Sequence, residues 1–300
     1  MTSCVSQPGT ARTVDPVTAL ALGVTVLAWA SAFPAIRAGL DSFGPLQLGA
    51  LRFAVAAVPA ALFLAVMRPP LPRLDEAWRF GVGGVFFVAL YTTLLNVGET
   101  SISAGAASFI INTNPIMTAI LANILLGEAF SRQAWLGTAL SFAGIGLIAL
   151  GESSSGLGDA NGLGALLILG AALCSAISAV AQKPLFVRHN PLTVSAWNMV
   201  LGAGLLLPAL PSGLAQAAQA SPAGWFAVLY LGAIPSLVAY ATWAVVLSRL
   251  PAGRASNFMY CVPPVAMAIS FLWLGEVPTA IGALGGLLAL AGVAIVNLRR

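Results

Sequence analysis

The chain has 300 residues, of which 59% are hydrophobic and only 7% are charged, and its mean hydropathy is +0.95. Because soluble domains carry about 25% charged residues, this composition excludes an ordinary soluble protein and predicts one that lies in a lipid bilayer. The net charge of +4 does not indicate nucleic-acid binding, since the basic residues sit in short loops between apolar stretches. Cys4, Cys174 and Cys261 show neither a disulfide nor a metal-site spacing.

Ten apolar stretches follow one another along the chain. Most have about 20 residues, which is enough for a helix to cross roughly 30 Å of hydrocarbon. Strands are not expected, because the alternating pattern of a membrane barrel is absent. The stretches cover residues 17–37, 45–67, 78–98, 104–125, 133–150, 162–183, 191–210, 222–247, 254–273 and 278–298.

The first stretch has two interpretations. Arg12, the apolar run and the small residues 30–32 are compatible with a secretory signal and its cleavage site. The chain also contains an internal repeat, in which the first stretch corresponds to the sixth. Cleavage would remove the first stretch and leave the sixth without its counterpart, which favours a retained span. Trp29 lies deep in this stretch, where its indole N–H needs a polar partner or water. It is therefore a candidate for lining a cavity.

Polar groups recur at membrane depth in the second and third stretches. Arg52 lies eight residues into the second, where a charge costs roughly 2.5–3.5 kcal/mol at mid-helix and less nearer the edge. It either binds the carboxylate of a ligand or reaches outward to pair with Asp41. Tyr91 and Asn96 in the third stretch are further candidates for lining a cavity.

An internal repeat joins the fourth and ninth stretches. Residues 104–128 and 252–276 share the pattern A-G-x-A-S…P…L-G-E at an offset of 148 positions. The same offset continues through the glycine-rich fifth and tenth stretches, which are predicted to form a scaffold or a dimer interface. Two halves, residues 1–150 and 151–300, are therefore predicted to share one plan.

Within the repeat, Pro115 and Pro263 predict interrupted helices whose freed carbonyls need protein or a cavity beside them. A pair of polar residues precedes each break with a spacing of four, which places each pair on one helical face. The pairs predict a shared cavity, or alternatively polar contacts that hold helices together. They are Ser108 with Asn112, and Ser256 with Tyr260. The eighth stretch adds Tyr240 and Trp243, which suit a cavity for flat or apolar groups.

Charged residues mark the ends of the stretches. Glu128 and Glu276 close the fourth and ninth stretches. Each is interpreted either as a gate latch or as an interfacial charge at a helix exit, and the second interpretation is favoured. His189, the single histidine, is predicted to be a solvated loop residue.

The basic residues predict the orientation. Eleven of the 13 fall on one side if the N-terminus is inside, which is a strong positive-inside bias. Five spans per half is an odd number, so the second half enters the membrane from the opposite face. The predicted fold class is an all-α membrane protein with ten transmembrane helices in two inverted five-helix repeats and cytoplasmic termini.

These features resemble the drug/metabolite transporter superfamily. The resemblance is carried by the five-plus-five plan, by Trp29-Ala-Ser-Ala-Phe33 leading to Arg37, and by the A-G-x-A-S…P…G-E blocks. Within the superfamily the chain is most similar to EamA-type ten-helix exporters, and among these to the YddG-type exporters of aromatic and other neutral amino acids. The resemblance implies export from the cytoplasm across the inner membrane, through a central cavity with alternating access.

The sequence predicts a transporter and not an enzyme. It has no H-E-x-x-H, G-x-S-x-G or phosphate-binding loop, and no catalytic residue, metal site or cofactor is predicted. The predicted partners are amino acids and the lipid bilayer, without nucleic acid. Export of other metabolites or drugs, and a membrane enzyme, remain alternatives. No carboxylate is predicted at mid-membrane, so transport is expected to proceed without a pH gradient. Protonation of Glu99 or Asp41 is the alternative.

Overall fold

The computed structural model describes residues 14–101, 104–152, 162–274 and 279–297. Within these ranges the regular structure is entirely helical. Helix is present in each of the ten predicted stretches, so the prediction of an all-α protein is confirmed.

Several helices of the first half are interrupted. The first half contains α1 (Pro16–Ala30), α2 (Ala32–Leu40), α3 (Pro45–Met67), α4 (Leu74–Val82), a π-helical segment (Gly83–Leu90), α5 (Tyr91–Gly98), α6 (Ala104–Ile111), α7 (Asn114–Leu126) and α8 (Arg132–Glu152).

The second half repeats several of these interruptions. It contains α9 (Gly162–Gln182), a 3₁₀ turn (Lys183–Val187), α10 (Pro191–Leu206), a 3₁₀ turn (Leu207–Ala209), α11 (Leu210–Ala217), α12 (Pro222–Leu231), a second π-helical segment (Gly232–Val238), α13 (Ala239–Arg249), α14 (Ala252–Asn257), a 3₁₀ turn (Phe258–Cys261), α15 (Val262–Leu274) and α16 (Ala280–Asn297).

Local sequence explains where helices begin and end. Asp15 accepts the N–H groups of Val17 and Thr18 and so caps α1. Pro115 stands in the first turn of α7, where its missing N–H costs nothing. Gly127 closes α7 with a left-handed φ of 65°, a conformation that favours glycine.

Seven helical stretches in the described part of the chain are long and apolar enough to cross a membrane. They are Pro16–Leu40, Pro45–Met67, Leu74–Gly98, Phe109–Leu126, Leu163–Val187, Pro191–Ala217 and Pro222–Arg249. A shorter apolar helix covers Ala280–Val296. The predicted membrane protein is thus confirmed, whereas the count of ten spans stays a prediction.

The bundle has two ends, which we call lower and upper. At the lower end α1 begins beside the end of α13, where Arg249 Nη1 lies 2.8 Å from Asp15 Oδ1. At the upper end the turn after α2 meets α11, and the Gly44 N–H donates to Gln216 Oε1 at 3.0 Å.

The glycine-rich helices α8 and α16 pack against each other backbone to backbone. A Cβ atom added to Gly144 would lie 2.5 Å from Ala289 N and 2.6 Å from Gly285 O. Ser141 Oγ donates to the Ala289 carbonyl at 2.9 Å across the same interface. Small residues permit this close approach, so the contact between α8 and α16 serves as an internal scaffold.

His189 lies in a connection between helices, as predicted, but its side chain is only 8% exposed, so the prediction that it is solvated was wrong. Its Nε2 lies 2.6 Å from Glu76 Oε1, and its ring meets the Phe80 ring edge-on at 5.2 Å. The 3₁₀ turn Lys183–Val187 continues α9 and brings the following residues against α4, which a loop assignment from sequence does not anticipate.

Candidate functional site: a central cavity

A cavity of about 760 Å³, its open mouth included, lies among the helices of both halves. It reaches from Ile36 and Leu95, each within four residues of the upper end of its helix, down to Trp243. Trp243 lies six residues before the lower end of α13, which is about 9 Å at 1.5 Å per residue. The cavity therefore occupies the middle and upper part of the bundle.

Four aromatic rings form one wall of the cavity, which we call the aromatic cluster: Trp29, Phe87, Tyr240 and Trp243. The Trp29 ring lies 5.5 Å from that of Trp243 and 6.0 Å from that of Tyr240, and Phe87 and Tyr240 are 4.4 Å apart. Such contacts fix ring orientations beyond what burial alone achieves. The cluster presents a rigid apolar surface to a ligand.

The polar ends of two of these rings are bound by the π-helical segments. Trp29 Nε1 donates to the Pro235 carbonyl at 3.1 Å, and Tyr240 Oη donates to the Phe87 carbonyl at 2.9 Å. π-helical turns shift the regular carbonyl pattern and recur at functional sites. Because the N–H and the O–H are both satisfied by backbone, the rings need no water.

Arg52 supplies the positive charge of the cavity. Only 5% of the residue is exposed, its Nε donates to Ser236 Oγ at 2.9 Å, and its Cζ lies 5.2 Å from the Phe53 ring. The alternative pairing with Asp41 is not observed. The Nη groups donate to no other described residue, so the planar fork remains available to an anionic ligand.

The break in the fourth stretch contributes the amides. Helix α6 ends at Ile111 and α7 begins at Asn114. Asn112 and Asn114 both line the cavity, and Asn114 Nδ2 donates to the Ala172 carbonyl at 3.0 Å. Ser175, on the same face of α9 as Ala172, adds a hydroxyl. These groups give the cavity a polar part of its lining, in contrast to the apolar surface of the aromatic cluster.

The structure gathers most of the predicted residues, but not all, around the cavity. The lining includes Trp29, Arg52, Tyr91, Asn112, Tyr240 and Trp243. Asn96 is fully buried elsewhere, with Nδ2 donating to the Pro45 carbonyl at 2.9 Å. Ser256 is also fully buried and is absent from the lining. Glu276 and the side chain of Ser108 lie outside the described residues.

Tyr260 packs away from the cavity, against Ile145, Ala289 and Val293. The predicted shared face of Ser256 and Tyr260 assumed 3.6 residues per turn. The chain instead passes through the 3₁₀ turn Phe258–Cys261, which has about 3.0 residues per turn. The tighter winding places Met259 in the lining in place of Tyr260.

Sequence reasoning missed several lining residues. Phe87 precedes Tyr91 by one helical turn, which was a usable signal, whereas Ser175 is an isolated hydroxyl in an apolar helix. The lining residues outside the predicted set are Ala32, Phe33, Ile36, Phe87, Leu95, Ile111, Asn114, Ser175, Met259 and Val262.

Below the cavity, side-chain hydrogen bonds hold the lower ends of several helices together. Glu128 accepts the N–H groups of Ala252 at 2.9 Å and of Gly253 at 3.2 Å, and so caps α14. Lys183 Nζ donates to the carbonyls of Leu247 at 2.5 Å and of Leu250. We call these contacts the lower latch. Glu128 thus caps a helix of the other half, which neither interpretation from sequence specified.

Comparison with known proteins agrees with this architecture. The EamA-like transporter family matches residues 17–150 and 162–298. A probable terminal-alkyne amino-acid exporter from Streptantibioticus cattleyicolor is 35% identical over 279 residues, covering 93% of each chain. A probable amino-acid metabolite efflux pump from Escherichia coli K12 is 27% identical, covering 91% of this chain and 92% of the relative.

A solved structure titled only "Crystal structure of protein" shares the fold, with a TM-score of 0.72 and 20% sequence identity. It covers 93% of this chain and 95% of its own. The two family matches together span nearly the whole chain, and the first relative exceeds 30% identity over most of its length. The chain therefore belongs to the EamA-like transporter family.

Proposed function

We propose that this transporter exports neutral amino acids, aromatic ones included, from the cytoplasm across the inner membrane by alternating access. In this proposal residues 1–150 and 151–300 form two inverted repeats of five spans each, and both termini are cytoplasmic. The lower end then faces the cytoplasm. The proposal draws on the family, on two relatives named for amino-acid efflux or export, and on the chemistry of the cavity.

The observation that carries the proposal is the position of Arg52 beside the aromatic cluster. A guanidinium binds a carboxylate in a planar, bidentate manner. Asn112, Asn114 and Ser175 on the lining offer oxygen acceptors for an ammonium group without a full negative charge. A zwitterion matches this arrangement, because its carboxylate meets the guanidinium and its ammonium group meets the neutral oxygen acceptors.

The aromatic cluster suits the side chain of such a ligand. Flat rings gain from edge-to-face and offset contacts with Trp29 and Trp243, and aliphatic groups gain from burial. The described lining carries no carboxylate, which disfavours a cationic drug as substrate. Export of another small anionic or zwitterionic metabolite is the remaining alternative, and it would use the same guanidinium.

The lower latch gives the alternating-access proposal a physical basis. With Glu128 and Lys183 engaged, the lower ends of α13 and α14 are held in place, and the described cavity lining lies in the middle and upper part of the bundle. Opening toward the cytoplasm requires these contacts to break and the upper end to close. A ligand drives that exchange only if it binds the two states with different affinity.

The test is counterflow in proteoliposomes with labelled amino acids. Phenylalanine, leucine and alanine are compared with phenethylamine, which keeps the ring and the amine but lacks the carboxylate. We expect exchange of the amino acids, no exchange of the amine, and loss of exchange in Arg52→Gln. Exchange of phenethylamine at the same rate would overturn the proposed recognition, and absence of exchange with every amino acid would overturn the substrate class.

A further inference from the structure

Glu99 carries a buried carboxyl group that lies outside the cavity lining. It follows α5 directly with helical backbone angles, its N–H still bonds the Leu95 carbonyl, and only 3% of the residue is exposed. Both carboxylate oxygens are buried without a hydrogen-bond partner among the described residues. In the sequence this acid directly follows the third apolar stretch.

A second buried acceptor lies one turn away on the same face. Asn96 precedes Glu99 by three positions, a spacing that makes helical neighbours. Its Nδ2 donates to the Pro45 carbonyl at 2.9 Å, which fixes the orientation of the amide, and its Oδ1 is buried and unpartnered. The site therefore holds three acceptor oxygens to which no described residue donates a hydrogen bond.

Such a site is costly as long as no donor arrives. A buried acceptor without a partner forfeits its hydration, and a buried carboxylate forfeits far more. One proton addresses both problems, because it removes the charge of Glu99 and supplies an O–H donor that can face Asn96 Oδ1. A metal cation would need several more oxygen ligands than these two residues provide.

The charged and titratable groups around Glu99 come from three helices. Arg37 of α2, Arg52 of α3 and Tyr91 of α5 interact with it electrostatically, but no described residue forms a salt bridge with it. Helix α9 contributes Ile168 and the Gly164 carbonyl, which pack on Gly98 and do not titrate. Glu99 lies just beyond the span that ends at Gly98. Burial raises its pKa to about 8, against the opposite pull of Arg37 and Arg52.

We propose that Glu99 is a proton-binding site linked to the cavity through Arg52. The guanidinium of Arg52 faces both sites: it lines the cavity, and it favours the charged form of Glu99. When a ligand carboxylate neutralises Arg52, that support for the charged form weakens. Glu99 then takes one proton from bulk water, forming one O–H bond, so ligand and proton bind with positive cooperativity. This linkage rests on the proposed function.

The proton site itself is tested without any substrate. Infrared difference spectra of the purified protein, recorded through a pH titration, report the carbonyl stretch of a protonated carboxylic acid. We expect a band that titrates near pH 8, vanishes in Glu99→Gln and persists in Asp41→Asn, which removes an exposed acid at the same end. A band that survives in Glu99→Gln, or one that titrates at the ordinary value for glutamate, would overturn the site.

A second variant covers the case in which Glu99→Gln does not fold. Arg37→Gln removes one guanidinium that favours the charged carboxyl, so the band should titrate at higher pH than in the parent protein. An unchanged or lowered midpoint in a folded Arg37→Gln variant would contradict the assignment as directly.

The linkage is tested by adding phenylalanine to weakly buffered protein near pH 8 with an indicator dye. Glu99 is already about half protonated near pH 8, so we expect up to roughly half a proton taken up per ligand bound, and none in Glu99→Gln or Arg52→Gln. Ligand binding without proton uptake in the parent protein would overturn the linkage alone. Absence of ligand binding would overturn the proposed function and with it the linkage, whereas the infrared band decides the proton site independently.

Discussion

Breaking the lower latch at Glu128 should shift the transporter toward a state that is open at the lower end. Glu128→Ala removes an acceptor for two N–H groups, at 2.9 Å and 3.2 Å. Hydrogen bonds to charged groups contribute about 1.5–3 kcal/mol each, and the partial exposure of Glu128 points below that range, to roughly 1–1.5 kcal/mol each. The closed state should therefore lose about 2–3 kcal/mol, which is a population shift of roughly 30- to 160-fold.

Labelling of a cysteine in the cavity measures this shift. Ser175→Cys places a thiol in the lining, in a background where Cys4, Cys174 and Cys261 are replaced by alanine. A membrane-impermeant maleimide is applied from either side in vesicles of defined orientation. We expect labelling from the lower side to rise strongly in Glu128→Ala and by an intermediate amount in Glu128→Gln, which keeps one neutral acceptor oxygen.

The matched control is Asp75→Asn. Asp75 is another acid at the lower end, but its 3.3 Å contact with Arg73 lies on the surface, with both side chains more than 60% exposed, where ion pairs contribute little. It should leave labelling unchanged. If both Glu128 variants label from the lower side at the parent rate, the contacts do not hold the lower end closed.

Three further predictions concern packing, specificity and pH. Gly144→Ala should lower the melting temperature in detergent, because its Cβ would meet the α16 backbone at 2.5 Å, whereas Gly204→Ala, at a position with nothing within 4 Å, should raise or maintain it. Trp243→Ala should weaken exchange of phenylalanine more than that of alanine. Tyr260→Ala should lower stability without this change in selectivity, and an equal change in both variants would contradict the described lining. The hydrogen bond from the Thr18 hydroxyl lowers the pKa of Asp15, so its stabilising effect is present above the ordinary value of 3.8 and is lost as pH falls. Melting temperatures of Asp15→Asn should therefore depend less on pH in the acid range, and equal acid sensitivity would argue against that role.

The depth of a polar residue was the most reliable signal in the sequence. Trp29, Arg52 and Trp243 line the cavity, because an indole or a guanidinium at membrane depth must find protein or water. Tyr260 failed as a lining prediction, because its facing depended on a helical period that the 3₁₀ turn changes. The sequence thus shows which polar side chains lie at membrane depth. It does not show which way a side chain faces where the helix changes its number of residues per turn.

Contacts between segments that are distant in the chain were also not predictable from the sequence. Glu99 falls at the end of an apolar run, yet it is buried, because neighbouring helices enclose that level of the bundle. Lys183 closes an apolar run as an ordinary basic residue, yet it binds the end of α13 from another helix. Both facts depend on how the helices pack against each other. Local sequence patterns do not reveal that packing.

The paired π-helical segments have a consequence for the symmetry of the cavity. Gly83 and Gly232 begin the two segments, Tyr91 and Tyr240 follow them, and one offset of 149 positions relates both pairs. A π-helical segment has more residues per turn than an α-helix, so it rotates the residues that follow it about the helix axis with little change in length. Each segment therefore sets which way the following helix, α5 or α13, faces. Each tyrosine therefore reaches the cavity through the winding of the π-helical segment that precedes it. A single-residue deletion within either segment would turn its tyrosine by about 100° and leave the membrane-crossing length almost intact, separating what a helix faces from how far it extends.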